Sequence, residues 1–269
     1  MILYGKTAKE QIDAEIREKL QAIAARGETV SIRTFRADED PAQIAYETQI
    51  QKRCAALGIE AISETIRSES DMRDALRRAG GDPSVDGILL FKPLPKDWNT
   101  EATVACIDKE KDIDGARPDG SGFVPCTAEA CIRLIRAYGI EPGGKNCVVV
   151  GRSATVGRPL REELERLGAS VTVCHSKTVD LPAETRKAEL LFVACGKPKL
   201  IGADCVSEGQ IVIDVGFHSD ENGICGDTDS EAIAPIVAGY SPVPKGVGTV
   251  TMPTLLLHAV EAHERRTDR

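Results

Sequence analysis

The chain has 269 residues, of which 42% are hydrophobic and 28% are charged, as in an ordinary globular protein. A formal net charge of −8 argues against a general nucleic-acid or membrane binder and favours a small-molecule partner. The sequence shows neither a secretory leader nor an apolar run of about 18 residues, so we expect a cytoplasmic protein.

Helices and strands alternate along the first third of the chain. Apolar spacing predicts helices over 7–26, 41–57 and 69–79, and strands over 29–35, 59–63 and 85–91. The proline-rich stretch KPLPKDWN then opens a rigid loop after the third strand. This order predicts a parallel sheet built from βαβ crossovers, with helices on both faces.

An irregular stretch, KEKDIDGARPDGSGFVP, marks the domain boundary. Beyond it the pattern predicts a helix at 127–138 capped by Thr127, a helix at 157–167, a final helix at about 253–265, and strands at 146–150, 170–174, 190–194 and 211–215. We therefore predict a two-lobed α/β fold. The first lobe holds residues 1–120 plus about 251–269, with the final helix returning to it, and a Rossmann-like parallel-sheet lobe holds 121–250.

The stretch GRSATVGRP at 151–159 lies between a predicted strand and an amphipathic helix. Gly151 ends the strand, Ser153 stands in the loop and Gly157 opens the helix. Glycine permits close backbone approach, and the N–H groups and dipole of a helix start attract a pyrophosphate. The spacing GxSxxxG is weaker than GxGxxG as a bare pattern, but its position between strand and helix favours a dinucleotide site.

The residues after the second strand of this lobe indicate the cofactor. NAD sites usually place an Asp or Glu there, whereas this chain has His175, Ser176, Lys177 and Thr178, with Arg152 in the first loop. Cationic and hydroxyl donors suit a 2′-phosphate, so we expect NADP, with NAD as the less favoured choice. The alternative is that these cations are ordinary solvated loop residues.

Two further strands end at candidate ligand positions. Gly196, Lys197 and Pro198 follow one strand and 214–216 ends the next, and the carboxyl ends of parallel strands border one crevice. Asp214 has the alternative role of capping a loop.

Nine cysteines and four histidines are spread without metal-ligand spacing. We expect buried, reduced thiols and no metal site.

Several short motifs are distributed along most of the chain: DPA at 40–42 with Tyr46, GILL with PLP at 87–95, KDIDG at 111–115, PCT at 125–127, GRSATVGRP at 151–159, VACGKP at 193–198, IVIDVG at 211–216 and PVPKGVGTVT at 242–251. In their identity and order these motifs resemble the methylenetetrahydrofolate dehydrogenase/cyclohydrolase family. The resemblance implies hydride transfer from 5,10-methylenetetrahydrofolate to a nicotinamide cofactor, hydration of the methenyl product, and a homodimer.

The resemblance also implies site residues. Those expected to contact NADP are Gly151, Arg152, Ser153, Val156, Gly157, Arg158, Pro159, His175, Ser176, Cys195, Gly196, Lys197, Asp214, Gly216 and Thr251. Those expected to contact the folate are Tyr46, Pro93, Leu94, Pro95, Asp114, Gly246 and Val247. Asp114 would pair with the pterin donors, with Asp112 as the second choice. Tyr46 would pack beside the substrate, or else is simply a half-buried helix residue.

The chain departs from the family pattern at the positions whose side chains the resemblance links to the proton transfers of the cyclohydrolase step. The pattern Y-x-x-x-K has Ile50 in place of the lysine, and Lys52 projects from another side of the helix. Phe91 stands at the family's glutamine, and Lys92 follows where the family has leucine. Strand alternation aims Lys92 away from the face of residue 91, although the following proline leaves open that Lys92 enters the vacant space.

The last loop departs as well, with Lys245 for a glycine and Thr249 and Val250 for proline and methionine. We predict a monofunctional NADP-dependent methylenetetrahydrofolate dehydrogenase without effective cyclohydrolase activity. The alternatives are a bifunctional enzyme with a replacement base, a dehydrogenase for another one-carbon pterin, and a catalytically silent folate- or nucleotide-binding paralogue.

Overall fold

The computed structural model describes residues 1–221 and 223–267. The chain forms two compact units. The five-stranded unit comprises Met1–Gln11 and Thr127–Thr251, and the three-stranded unit comprises Ile12–Cys126 with the chain from Met252 onward. The predicted α/β class, with a Rossmann-like parallel sheet and a final helix that returns to the first lobe, is confirmed.

The three-stranded unit is built on a short parallel sheet. Its elements are α1 (Gly5–Ala25, which begins in the other unit), β1 (Ser31–Arg36), α2 (Pro41–Leu57), β2 (Glu60–Thr65), α3 (Glu69–Gly81), β3 (Gly87–Leu90) and α4 (Thr100–Val104). The strand order is β2-β1-β3, and both pairings are parallel. All four residues of β3 are buried, because helices cover a parallel sheet on both faces.

Helix α2 has clear start and stop signals. The Asp40 side chain accepts the Gln43 N–H at 2.9 Å, Pro41 opens the helix, and Gly58 ends it with φ of 74°. Its buried residues are Gln43, Glu47, Ile50 and Cys54, which share one helix face. The sequence-predicted span of 41–57 is therefore confirmed, and α2 carries the position of the missing lysine into the interior.

The five-stranded unit carries the Rossmann-like sheet. Its elements are α5 (Cys126–Arg136), β4 (Asn146–Val150), α6 (Gly157–Arg166), β5 (Ser170–Cys174), α7 (Leu181–Thr185), β6 (Leu190–Val193), a 3-10 helix (Ala203–Cys205), β7 (Ile211–Asp214), β8 (His218–Asp220), β9 (Gly223–Cys225), α8 (Ser230–Ile233), β10 (Gly239–Tyr240) and α9 (Gly248–Thr267, which ends in the other unit). The parallel order is β10-β7-β6-β4-β5, and β8 and β9 form a separate antiparallel pair.

Several predicted boundaries differ from the structure. Helix α5 begins at Cys126, so Thr127 lies inside the helix and the predicted cap is wrong. Helix α9 begins at Gly248 and contains Pro253, since a helix tolerates an internal proline at the cost of one backbone hydrogen bond. The helices α4, α7 and α8 were not predicted, because four or five residues are too short for a periodic signal.

The compact units divide the N-terminus differently from the predicted lobes, and the C-terminal helix as predicted. Residues 1–11 belong with the five-stranded unit, because Ile2 pairs with Tyr240 and the Leu3 N–H donates to the Tyr240 carbonyl at 2.8 Å. The C-terminal part of α9 belongs with the three-stranded unit, where Arg266 Nε donates to Asp86 Oδ1 at 2.8 Å.

The nine cysteines are free, and six of them are buried. Over the described ranges, no helix combines the length and apolar character that a bilayer crossing requires. Residues 1–221 and 223–267 likewise bring together no group of three or more His, Cys, Asp or Glu side chains suited to a metal ion.

Candidate active site

The turn after β4 requires glycine at two positions. Gly151 has φ of 128°, and a Cβ there would lie 2.1 Å from the Ala194 carbonyl oxygen. A Cβ on Gly157 would lie 2.3 Å from the Gly151 carbonyl oxygen. The glycines of the GxSxxxG pattern therefore bring the ends of β4 and β6 and the start of α6 into close backbone contact.

Ser153 shapes the start of α6. Its Oγ accepts the N–H groups of Val156 and Gly157 at 3.2 and 3.3 Å, so two of the donors that this helix start offers already have a partner. Val156 is half-buried and Pro159 is buried, while the side chains of Arg152 and Arg158 are exposed. The guanidinium groups are thus accessible donors of this loop.

The loop after β5 presents donors beside the β4 turn, because Val150 pairs with Cys174 in the sheet. His175 Nδ1 accepts the Lys177 N–H at 3.1 Å, and the Ser176 and Lys177 side chains are exposed. The next carboxylate, Asp180, accepts the Ala183 N–H at 2.9 Å as the cap of α7. The accessible set is cationic and hydroxylic, which fits a phosphate better than a ribose hydroxyl pair.

Asp227 holds the loop after β6, and the sequence reasoning did not identify it. Its Oδ2 accepts the N–H groups of Cys195 and Gly196 at 2.6 and 2.8 Å, and its Oδ1 lies 2.7 Å from His218 Nε2. The Asp227 side chain is fully buried. The preceding Gly226 is the sequence feature that could have indicated close packing here. A Cβ at this position would lie 2.0 Å from Asp214 Oδ2, so the position requires glycine.

Asp214 supports the same region from the end of β7. Its Oδ1 accepts the N–H groups of Gly216 and Asp227, and its Oδ2 accepts that of Thr228, all at 2.9 to 3.0 Å. Burial of this carboxyl raises its pKa to about 6, despite the three backbone donors. This geometry fits the alternative role of Asp214 as a loop cap. Both carboxylate oxygens already accept backbone N–H groups, and the residue is 4% exposed.

The remaining cofactor candidates lie on the surface of the five-stranded unit. Gly196 and Lys197 are exposed, and Gly196 has φ of 67° with open space where a Cβ would stand. Thr251 is half-buried, and its Oγ1 donates to the Gly248 carbonyl at 3.2 Å. These placements leave a ligand access to the Gly196 backbone.

The altered last loop retains a glycine-like backbone at Lys245, which has φ of 83°. A non-glycine residue is uncommon in this region of backbone space, so the substitution for glycine leaves local strain. Gly246 and Val247 are buried, and a Cβ on Gly246 would lie 2.4 Å from the Pro242 carbonyl oxygen.

In the three-stranded unit, apolar side chains occupy the positions of the family's lysine and glutamine. Ile50 has no exposed surface and Phe91 is 5% exposed. The Tyr46 ring meets the Phe91 ring edge to face, with centroids 6.2 Å apart, and Tyr46 itself is 36% exposed. Tyr46 therefore presents an accessible ring beside a closed apolar surface.

Lys92 turns towards a carboxylate. Its Nζ lies 3.2 Å from Asp114 Oδ2, and each side chain is 30% exposed. Strand alternation had aimed Lys92 elsewhere, but β3 ends at Leu90, so the strand period no longer governs its direction. Lys52 is exposed on α2, as expected.

The two aspartates of KDIDG have different environments. Asp112 is 1% exposed, burial raises its pKa, and its Oδ2 accepts the Arg117 N–H at 2.9 Å. Asp114 is the accessible carboxylate of the pair. Asp112 thus shapes the loop that presents Asp114.

The loop that carries Lys92 is fixed by Gln43, which the sequence reasoning missed. Gln43 is 7% exposed, and its Nε2 donates to the Pro93 carbonyl at 3.1 Å. Its position three residues before Tyr46 on the buried face of α2 was the only available signal. Pro93 is exposed, Leu94 is buried and Pro95 is half-buried, so the loop has an anchored side and an open side.

The fold and these sites define an α/β oxidoreductase with a dinucleotide-binding unit and a separate catalytic unit. The chain matches two family models: the tetrahydrofolate dehydrogenase/cyclohydrolase catalytic domain over residues 3–114 and the NAD(P)-binding domain of the same enzymes over residues 125–267. The chain therefore belongs to the tetrahydrofolate dehydrogenase/cyclohydrolase family.

Individual relatives agree with this assignment. The chain is 38% identical to a bifunctional protein FolD of Desulfovibrio desulfuricans, over 99% of both chains. Among solved structures it is similar to the bifunctional FolD of Campylobacter jejuni, with a TM-score of 0.94, 34% identity and 99% coverage of both chains. It is also similar to the Trypanosoma brucei FolD complexed with NADP cofactor and inhibitor, with a TM-score of 0.92, 27% identity and coverage of 100% and 99%.

Proposed function

We propose that the protein is an NADP-dependent dehydrogenase that converts 5,10-methylenetetrahydrofolate to 5,10-methenyltetrahydrofolate, with its cyclohydrolase activity lost or strongly reduced. One observation carries the proposal: Ile50 is fully buried, and Phe91 nearly so, at the two positions where the family pattern has a lysine and a glutamine. Neither side chain can transfer a proton, and hydration of the methenyl product requires proton transfer.

The dehydrogenase step needs less from the protein. A neighbouring folate nitrogen drives hydride departure from the methylene bridge, so positioning of donor and acceptor supplies much of the catalysis. Asp114 accepts the pterin donors and the Tyr46 ring packs beside the substrate. Ile50 and Phe91 close this surface to water, which slows hydration of the product.

NADP, when bound, supplies the hydride acceptor. The exposed side chains of Arg152, Ser176 and Lys177 offer donors for its 2′-phosphate. Asp180, the nearest carboxylate after β5, is engaged as a helix cap, which supports NADP over NAD.

The decisive experiment follows reduced cofactor and methenyl product together in one spectrophotometric assay. We expect NADP reduction with methylenetetrahydrofolate, and decay of added methenyltetrahydrofolate at the rate of buffer alone. Enzymatic acceleration of that decay would contradict the monofunctional proposal, and failure to reduce NADP would contradict the dehydrogenase itself.

A bifunctional enzyme is the second candidate, and the contact of Lys92 with Asp114 favours it, since an amine does stand in the site. If Lys92 is a replacement base, wild type will hydrolyse methenyltetrahydrofolate and Lys92→Met will abolish that activity while leaving NADP affinity unchanged. Equal hydrolysis by the two proteins would exclude Lys92 as the base.

We further infer that the protein is a homodimer, which the family resemblance supports. Light scattering coupled to size-exclusion chromatography will give a mass of twice the 28.9 kDa chain if the dimer is correct.

A further inference from the structure

Lys92 and Asp114 form one accessible polar group at the edge of an apolar surface. The ammonium and the carboxylate are 3.2 Å apart, and both side chains are 30% exposed, so neither is sealed from a ligand. Ile50 and Phe91 offer no hydrogen-bond donor or acceptor from their side chains. Lys92, which follows Phe91 in the chain, and Asp114 therefore supply charged groups that can recognise a polar ligand edge.

Backbone contacts hold both members in place. The Pro93 carbonyl, next to Lys92, accepts the Gln43 amide at 3.1 Å, and the Asp114 carbonyl accepts the Cys126 N–H at 3.2 Å. A group whose supporting backbone is anchored in this way loses little conformational freedom when a ligand binds.

The pair offers a defined order of hydrogen-bonding groups. The Asp114 carboxylate presents two acceptor oxygens, and the Lys92 ammonium beside Oδ2 presents donors only. A 4-oxo-pteridine presents the complementary row on one edge: the 2-amino group and N3–H are donors, and the neighbouring O4 is an acceptor. In a 4-amino-4-deoxy pteridine the groups at positions 3 and 4 have the opposite character, because N3 is an acceptor and the 4-amino group is a donor.

We propose that Lys92 is a specificity-determining residue: with Asp114 it reads the donor–donor–acceptor edge of a 4-oxo-pteridine and rejects the 4-amino form. This inference rests on the proposed folate dehydrogenase function. Asp114 accepts from the 2-amino group and N3–H, and Lys92 donates to O4. The 4-amino form would set its amino group against the ammonium, where two donors leave each other unpaired.

The test compares the dissociation constants of tetrahydrofolate and 4-amino-4-deoxytetrahydrofolate, measured by calorimetry with NADP present. Wild type should prefer the 4-oxo compound, and Lys92→Met should reduce that preference by about 10- to 100-fold, as expected for loss of a charge-assisted hydrogen bond. Lys92→Arg should retain most of the preference. Lys96→Met, at an exposed position of the same loop, is the matched control and should behave as wild type.

NADP affinity measured on each variant verifies that the protein is folded, and Lys92→Ala provides a second neutral variant should the methionine protein not fold. An unchanged preference in a folded neutral variant would overturn the role of Lys92 and leave the dehydrogenase proposal intact. A wild-type protein that binds neither pteridine while it binds NADP would overturn both.

Discussion

At the scale of single residues, the substitutions at 50 and 91 belong together. A glutamine left at 91 without its lysine would bury an amide with one partner fewer, at a cost of about 1–3 kcal/mol. Phenylalanine avoids that cost, since its ring packs against Tyr46 with centroids 6.2 Å apart. Together the two changes put buried apolar side chains where the family pattern has a polar pair.

The first prediction is that Ile50→Lys does not restore hydrolysis of methenyltetrahydrofolate and lowers the free energy of unfolding by about 2–5 kcal/mol. Position 50 has no exposed surface, so an ammonium there would be desolvated without a partner. Urea unfolding and a hydrolysis assay measure the two effects. Gln49→Lys at the exposed neighbouring position is the control and should change stability by about 0.5 kcal/mol or less. Recovery of hydrolysis in Ile50→Lys would contradict the prediction.

The second prediction concerns Asp214, whose burial raises its pKa to about 6 from an ordinary value of 3.8. The folded protein then binds this proton more tightly than the unfolded chain, so the contribution to stability is complete below pH ~4 and disappears as the pH rises through ~6. Two pKa units correspond to about 3 kcal/mol.

Urea unfolding of wild type and Asp214→Asn between pH ~4 and ~7 isolates this group, because the other titrating residues are shared. We expect the stability of wild type relative to the variant to fall as the pH rises. Parallel stability curves for the two proteins would show that Asp214 titrates alike in the folded and unfolded states.

At the scale of elements, the carboxyl ends of β6 and β7 are tied together by side chains from a later loop. Asp214 at the end of β7 accepts the Asp227 N–H, and Asp227 in turn accepts the N–H groups of Cys195 and Gly196 after β6. Two buried carboxylates thus fix the loop that we propose to lie against NADP. The short β8–β9 pair contributes His218, which lies 2.7 Å from Asp227.

The third prediction is that Asp227→Asn weakens NADP binding about tenfold and lowers the free energy of unfolding by about 1–3 kcal/mol. The amide retains an acceptor but loses the charge that strengthens the bonds to Cys195 and Gly196. Fluorescence titration with NADP and urea unfolding provide the two measurements. Asp204→Asn, at an exposed position of the same unit, should resemble wild type. If Asp227→Asn binds NADP as tightly as wild type, the loop at Cys195 and Gly196 does not contribute to the cofactor site.

At the scale of the whole molecule, ligand binding and folding are coupled. A ligand that binds only the folded protein stabilises it by about 2.7 kcal/mol at a concentration of 100 Kd. The fourth prediction is that NADP stabilises the protein more than NAD does at the same concentration, and that Arg152→Gln removes most of this difference. Thermal unfolding with each cofactor provides the measurement. Arg166→Gln, at the far end of α6, is the control. Equal stabilisation of wild type by NADP and NAD would contradict the assigned preference.

The sequence by itself determined the class of fold, the family and most of the longer elements. The span of α2 follows from Asp40, Pro41 and Gly58, which act over a few residues and so are legible in the chain. The glycines at 151 and 157 likewise report a local need for close backbone approach. The apolar substitutions at 50 and 91 were also visible, because the neighbouring motifs fix their register.

Only the tertiary structure decided how distant polar groups pair. Lys92 meets Asp114 beyond the end of β3, where strand alternation no longer applies, and the Asp227 side chain reaches a loop about thirty residues earlier in the chain. Residues 1–11 joined the five-stranded unit through hydrogen bonds to Tyr240. Such contacts depend on where separate elements come to lie in space, whereas sequence patterns report chiefly the periodicity and turn chemistry of neighbouring residues.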